Sequence, residues 1–503
     1  MFPSDNNFET EVTLERNAAP IADEEPFKIL LLGDWSGRNF SASSTSDSFD
    51  LRSIEIDRDN FEDVLGKFQI KLVLDLKNDA DSSVTIEIKE FDDFHPDKIF
   101  QQLPYFSHLR DIRRCLLNPD TFNSAAREVR SWLDSSVEEK NDQEDSAQPS
   151  QIPIDSDNLL DQILSQTSDS EISPKPQTTV KSDLNALIGK LVKPFIVQTD
   201  EEEQSKLLGI VDEVTGDLMR EILHHPRFQA MESAWRGLYF LVRRTETNSQ
   251  LKLFISDTGK DKLSNHLKSV ENLSDSEFYN FINRNNWSVI CGNFEFKIDV
   301  NDAAFLMRLA KICGNANAPF ISYLKPKSFD NSLSDDTKFD LSFDEVEAKL
   351  WDSLRSITES SYLGFALPRF LARLPFGENT EPLETFSFDE LNNSIAGNKY
   401  IWTNPVFGCA FLLAQSFSLH GWEMQSNFQQ QIDDLPFHTY QENGETIIKN
   451  SLEFTFNQNE CINLMDSGFM TFITFQTSDL VRLTRFQSIS KISPSLNGKW
   501  NNS

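Results

Sequence analysis

Cysteine is scarce in this 503-residue sequence: Cys115, Cys291, Cys313, Cys409 and Cys461 lie far apart, with no C-x-x-C pair. An odd, scattered set argues against a disulfide framework or a zinc site and predicts reduced core thiols in a cytosolic compartment. Basic residues are also in deficit. There are 47 Lys and Arg against 79 Asp and Glu, a net charge of -32, and no stretch gathers a run of cations. That argues against nucleic acid and anionic membrane surfaces as partners, because both need a basic face. No run of 18 apolar residues occurs, and MFPSDNNFETEV has no basic and apolar leader. The expectation is a soluble protein that is not exported by the general route.

Signatures of chemistry are missing as well. The stretch FKILLLGDWSGRN (27–39) runs from an apolar strand into a turn, as many phosphate sites do, because backbone N–H groups can reach a phosphate there. Yet Gly33 and Gly37 are four apart, no Lys-Ser or Lys-Thr follows, and a Ser-rich loop stands where the helix should be. We read Gly33 and Gly37 as turn geometry and Asp34 as a turn or capping carboxylate. No G-x-S-x-G elbow is present. No catalytic, cofactor or metal residue is therefore assigned.

What the chain does have is 41 phenylalanines, suited to cores and permanent interfaces alike. Its length implies two or three domains. Residues 1–134 read as a small α+β domain. It has an apolar strand at 27–32 and a capped helix DNFEDVLG (59–66) that includes Asn60 and Phe61. A period-two hairpin follows over 68–76 and 84–88, then helices over 96–117 interrupted at Pro104. Residues 135–182 turn to Asp, Glu, Ser, Gln and Pro, a composition that cannot bury enough apolar surface and reads as a linker. Its apolar island Leu159–Leu164 reads as transient helix or a docking peptide. The third block, 183–480, is the largest, and 481–503 form a tail.

The third block opens with HHPRFQAMESAWRGLYFLVRR, where Phe228, Met231, Trp235, Leu238 and Val242 mark one helix face. Pro226 suits its first turn, Glu232 and Arg236 form an i,i+4 pair, and His224 and His225 are helix-entry residues. Strands at 251–255, 287–291 and 319–324 alternate with helical stretches at 260–282 and 302–313. This β-α-β-α-β core predicts a largely parallel sheet. Asp257, after the first of these strands, reads as a helix N-cap rather than a metal ligand. Arg369 and Arg373, four apart between Pro368 and Pro375, are expected on one face of a helical turn. They serve either anion binding or, the reading we favour, ion pairs with distant carboxylates. Val406–Phe417 is nearly all apolar and predicts a central core helix.

The run ILHHPRFQAMESAWRGLYFLV, which includes Gly237, resembles the large sheath subunit of type VI secretion systems, the TssC (VipB, ImpC) family. So do GNFEFKIDVNDAAFLMRLAKICGNANAPFIS, YLGFALPRFLARLPFG, YIWTNPVFGCAF with Trp402, HGW with Gly421 and Trp422, and DLPFHTYQENGE. These blocks keep their order from about 188 to 480. PFKILLLGDWSG, IEIDRDNFEDVL and FDDFHPDKIFQQLPYFSHLRDIR resemble the small subunit, TssB (VipA, ImpB), so the chain is similar to both subunits joined by the acidic linker.

That resemblance implies a structural assembly protein rather than an enzyme. It implies heterodimers that polymerise with other sheath subunits by strand exchange around an Hcp-type inner tube, start on a baseplate, contract, and are recycled by a ClpV-type ATPase. The residues singled out above are then assembly motifs. The large-subunit likeness stops near Gln487, and the small-subunit block lacks a long C-terminal helix, so an accessory or capping component is the alternative. Glu9–Leu14 alternates like a donated strand or a frayed end. A nucleotide- or metal-binding α/β enzyme is the reading from another class.

Overall fold

The computed structural model describes residues 25–38, 51–76, 83–132, 203–327, 341–392, 399–442, 444–474 and 479–501. Glu9–Leu14, the acidic stretch over 135–182 and Leu159–Leu164 lie outside the described residues. The fold is of the mixed α+β and α/β kind expected. The first strand, β1 (Phe27–Gly33), and β2 (Ile54–Ile56) come from the N-terminal block. So do α1 (Phe61–Phe68) and the hairpin β3 (Ile70–Asp75) and β4 (Ser83–Ile88), which pair antiparallel as their period-two pattern requires. Pro104 splits the following helical run into α2 (Pro96–Gln102) and α3 (Pro104–Leu117), since a proline is tolerated only in a first turn. A further helix, α4, covers 122–132.

The third block begins with α5 (Glu203–Leu223) and α6 (Pro226–Arg244), then β5 (Leu251–Asp257). The helical stretch expected over 260–282 is broken into α7 (Lys260–Ser269) and α8 (Glu277–Asn285). The break comes where Ser276 caps α8, its Oγ accepting from the Tyr279 N–H. Next are β6 (Val289–Phe296), α9 (Val300–Ala316), β7 (Phe320–Leu324), α10 (Glu345–Arg355) and β8 (Leu363–Leu367). The short β9 (Phe370–Leu371) and β10 (Trp402–Thr403) pair with each other. They precede α11 (Val406–His420), whose residues are buried on every side over most of its length. Then come β11 (Gln431–Ile432), the hairpin β12 (His438–Glu442) and β13 (Glu445–Lys449), α12 (Gln458–Asp466), β14 (Phe469–Thr474) and β15 (Val481–Leu483).

One nine-stranded sheet organises these elements, in the order β11-β15-β14-β8-β7-β6-β1-β5-β2. From β14 to β5 all neighbours run parallel; β2 at one edge and β15 and β11 at the other are antiparallel. The crossover from β5 to β6 skips one place in the sheet, and β1 fills it. It aligns with β5 from Phe27↔Leu251 to Gly33↔Asp257 and with β6 from Ile29↔Val289 to Leu32↔Gly292. The N-terminal block therefore contributes a central strand to the sheet of the third block.

Helices cover both faces, which explains why β1 reads FKILLL without alternation. Phe27, Ile29 and Leu31 pack into the core under α6 and α11, and Leu30 and Leu32 into the core under α7, α8 and α9. Cys291, Cys313, Cys409 and Cys461 are buried, and all five cysteines are free thiols.

Candidate functional site

The residues singled out in the sequence gather mainly around α6. At the carboxyl end of β1 the chain turns through Gly33, the half-buried Asp34, Trp35, Ser36 and Gly37. The backbone N–H groups of Trp35 and Ser36 donate to Asp257 Oδ1, at 2.9 and 3.2 Å. This corrects the role expected of Asp257. Gly259 occupies the N-cap position of α7, and Asp257 instead anchors the turn after β1. The turn does present N–H groups to an anion, as a phosphate loop would, but the anion is a carboxylate of the same chain. Gly37 has φ of +70° and lies between Met231 and Leu72, where a Cβ would come within 2.9 Å of the Met231 methyl.

Aromatic side chains close the seam between the turn and α6. Trp235 donates its indole N–H to the Trp35 carbonyl at 3.2 Å, and the two rings meet edge to face at 5.6 Å. Phe61 sets its ring against Trp235 at 5.8 Å and Tyr239 at 5.4 Å, while Phe91 stacks on Tyr239 at 4.4 Å. Phe228 meets Phe94 edge to face at 5.9 Å. Each such pair adds about 0.5–1.5 kcal/mol beyond its buried area. Asn60 shapes the entry to α1, its Oδ1 accepting from the Asp57 N–H at 3.0 Å. Gly237 lets α6 approach the next layer, since a Cβ there would stand 2.3 Å from the Phe407 ring.

Trp422 lies at the opposite end of β1, with its ring 5.5 Å from Phe27 and its N–H donating to the Glu25 carbonyl at 3.2 Å. Gly421 ends α11 there with a positive φ of 56°.

The other face of α6 carries a buried charge knot. Arg373 bonds Glu232 through Nε at 2.7 Å and Glu390 through Nη1 at 2.7 Å, and Arg236 bonds Glu232 at 2.6 Å. Burial opposes the charge of Arg373, but the two carboxylates outweigh it and raise its pKa. Burial pushes the Glu232 carboxyl up, and the two guanidinium groups outweigh that and hold it below the usual range. Arg369 is apart from Arg373 and makes a bidentate pair with Glu453 at 2.8 and 2.7 Å. The expected helical turn is absent: this segment is extended as β9, which pairs with β10. Trp402 in β10 accepts at its carbonyl from Ser233 Oγ, and the Pro375 carbonyl accepts from Thr380 Oγ1.

His225 caps α6, its Nδ1 accepting from the Arg227 N–H at 3.2 Å. Burial, with Lys399, Arg373 and Arg220 nearby, pushes the His224 pKa down to about 4. Glu390 stands 3.8 Å from His224, too far for a hydrogen bond, and its charge is already taken by Arg373. Sequence reasoning did not find Glu390 and Glu453, which have no local signal. Phe91, Phe94 and Tyr239 lie inside the stretches FDDFHPDKIFQQLPYFSHLRDIR and HHPRFQAMESAWRGLYFLVRR, but nothing in their spacing signals that they meet.

Comparison with known proteins adds the family. The VipB family, described as EvpB/VC_A0108, tail sheath N-terminal domain, matches residues 205–490. The family described as Type VI secretion system, VipA, VC_A0107 or Hcp2 matches residues 10–151. A relative, the type VI secretion system sheath protein TssC1 of Pseudomonas aeruginosa, is 31% identical over 288 residues. That alignment covers 54% of this chain and 58% of the relative, so the chain spans little more than half the length of the protein it matches.

Proposed function

The chain belongs to the VipB tail sheath family and carries a VipA-type segment ahead of the VipB-type one, and from that premise we propose that it works as a ready-made sheath protomer. It is a type VI secretion sheath subunit with both parts in one polypeptide. In this reading it assembles with copies of itself and other sheath subunits by strand exchange. The assembly surrounds an inner tube, grows from a baseplate and contracts to eject the tube. It works in the cytoplasm, with no active site, and a ClpV-type ATPase recycles the spent lattice.

The observation that carries this reading is the position of β1. A strand of the VipA-type segment runs between two strands of the VipB-type sheet, so one chain supplies both partners in fixed one-to-one ratio. Contraction would then draw on the difference between two packings of such rigid units. Among the described residues no helix is long and apolar enough to cross a membrane.

Electron microscopy of the purified chain, alone and mixed with the sheath and tube proteins of its own system, is the test. Filaments, rings or tubes that include the chain are expected. Small monodisperse particles in every mixture would contradict the reading, and entry only into lattices built by other sheath subunits would make it an accessory component.

A further inference from the structure

At the carboxyl end of α6 a cleft of about 260 Å³ opens between the two blocks. Phe91 of the N-terminal block, Tyr239 and Phe240 line it, with Arg243 and Arg244 as its cations beside the paired Arg236, and Asp434 as its one acid. Its volume is below the roughly 300–1,000 Å³ of small-molecule sites, which suits one inserted side chain better than a free ligand.

The arginines differ in how they are engaged. Arg236, also on the lining, is paired with Glu232. Arg244 donates to the Asp433 and Asp434 carbonyls at 2.6 and 2.8 Å and lies over the Phe240 ring. Those bonds fix the far wall of the cleft. Arg243 is exposed, lies 5.1 Å above the Tyr239 ring, and has no carboxylate partner among the described residues. A position at the end of a helix accounts for a cation in general. The i,i+4 spacing of Arg243 from Tyr239 on α6 sets the contact with the ring and leaves the guanidinium beside the cavity.

We propose that this cleft is an inter-subunit docking site that takes the acidic segment 194–202 (PFIVQTDEE) of a second copy of the chain. Phe195 or Ile196 would enter the cavity, and Asp200, Glu201 and Glu202 would face Arg243. Charge complementarity favours an acidic occupant, and the apolar cavity asks for an anchor beside the acids. The chain has a net charge of -32, and this segment joins an aromatic and aliphatic anchor to three consecutive carboxylates. The proposal rests on the sheath reading for the presence of a neighbouring copy.

The test is fluorescence anisotropy with a labelled peptide of residues 194–202. The receiver is the full chain with its own three acids neutralised (Asp200→Asn, Glu201→Gln, Glu202→Gln). Saturable binding is expected, weaker at high salt and about tenfold weaker for Arg243→Glu, because like charges repel across such a contact. Arg243→Lys should retain most of it, and a peptide carrying Asp200→Lys, Glu201→Lys and Glu202→Lys should bind the Arg243→Glu chain instead.

Equal binding of acidic and neutralised peptides, or unchanged binding by Arg243→Glu, would overturn the proposal. So would a native chain that holds its own segment at every dilution. Filaments that form while the peptide fails to bind would remove this contact and leave the sheath reading intact. Peptide binding without filaments would do the reverse.

Discussion

The two faces of α6 are held by different physics. Toward the N-terminal block, the seam is made of strand pairing, aromatic edges and two backbone N–H groups on Asp257. Toward β9 and β10, the contact is a knot of two carboxylates and two guanidinium groups, with Glu232 and Glu390 fully buried. The first kind of contact is additive and tolerant, because each aromatic pair contributes separately. The second is all or none: a buried charge without its partner costs more than the pair contributes. The seam joins the VipA-type and VipB-type parts, and the knot ties α6 to Arg373 and Glu390 within the VipB-type part.

Breaking the knot should have the largest effect. Glu232→Ala leaves Arg373 and Arg236 with one carboxylate fewer and should cost about 3–5 kcal/mol in chemical denaturation. Replacing Glu232, Arg236, Arg373 and Glu390 together by leucine should cost much less than Glu232→Ala alone, because no member of the knot is then left without its partner. If the quadruple variant is worse, the contrast between knot and seam is wrong.

Acid should act on the same place. The folded His224 pKa is about 4 against an ordinary 6.5. As pH falls below about 6.5 the unfolded chain therefore takes up a proton that the folded chain refuses. The His224 contribution is constant above that range and is lost between pH 6.5 and 4, by up to about 3 kcal/mol; His224→Gln should remove that part of the slope and leave the smaller part due to His225, His266 and His438, whose pKa values burial also lowers.

The seam should yield more gradually. Asp257→Ala strands the N–H groups of Trp35 and Ser36 and should cost about 1–3 kcal/mol, with a matching rise in hydrogen exchange at those two amides. Asp34→Ala is expected to disturb folding or assembly while leaving no nucleotide affinity to lose, readable by thermal shift with and without nucleotide. The smallest effect belongs to the exposed Arg113–Asp212 pair between α3 and α5, where Arg113→Ala should change stability by less than about 1 kcal/mol.

How much of this was legible depended on the range of the interactions. The hairpin β3–β4, the amphipathic α6 and the core helix α11 follow from local periodicity, and the structure has all three. The break between α7 and α8 was missed because an apolar spacing continues across it. The spacing of Arg369 and Arg373 suggested a helix. Pairing with a strand some thirty residues away holds the segment extended instead, so tertiary contact overrode a local pattern.

The insertion of β1 between β5 and β6 left almost no trace in the sequence. An apolar strand in a small domain and one at the centre of a larger sheet have the same composition. Two apolar faces in one strand were the only hint, since a strand covered on a single side alternates.

The most direct test of that insertion is to place a protease site within residues 150–190, cut the folded chain, and pass it over a sizing column under native conditions. The fragments should travel together at one-to-one ratio and separate only in denaturant, because removing the N-terminal fragment would open a gap at the centre of the sheet. Two separately eluting fragments, each folded, would contradict the account.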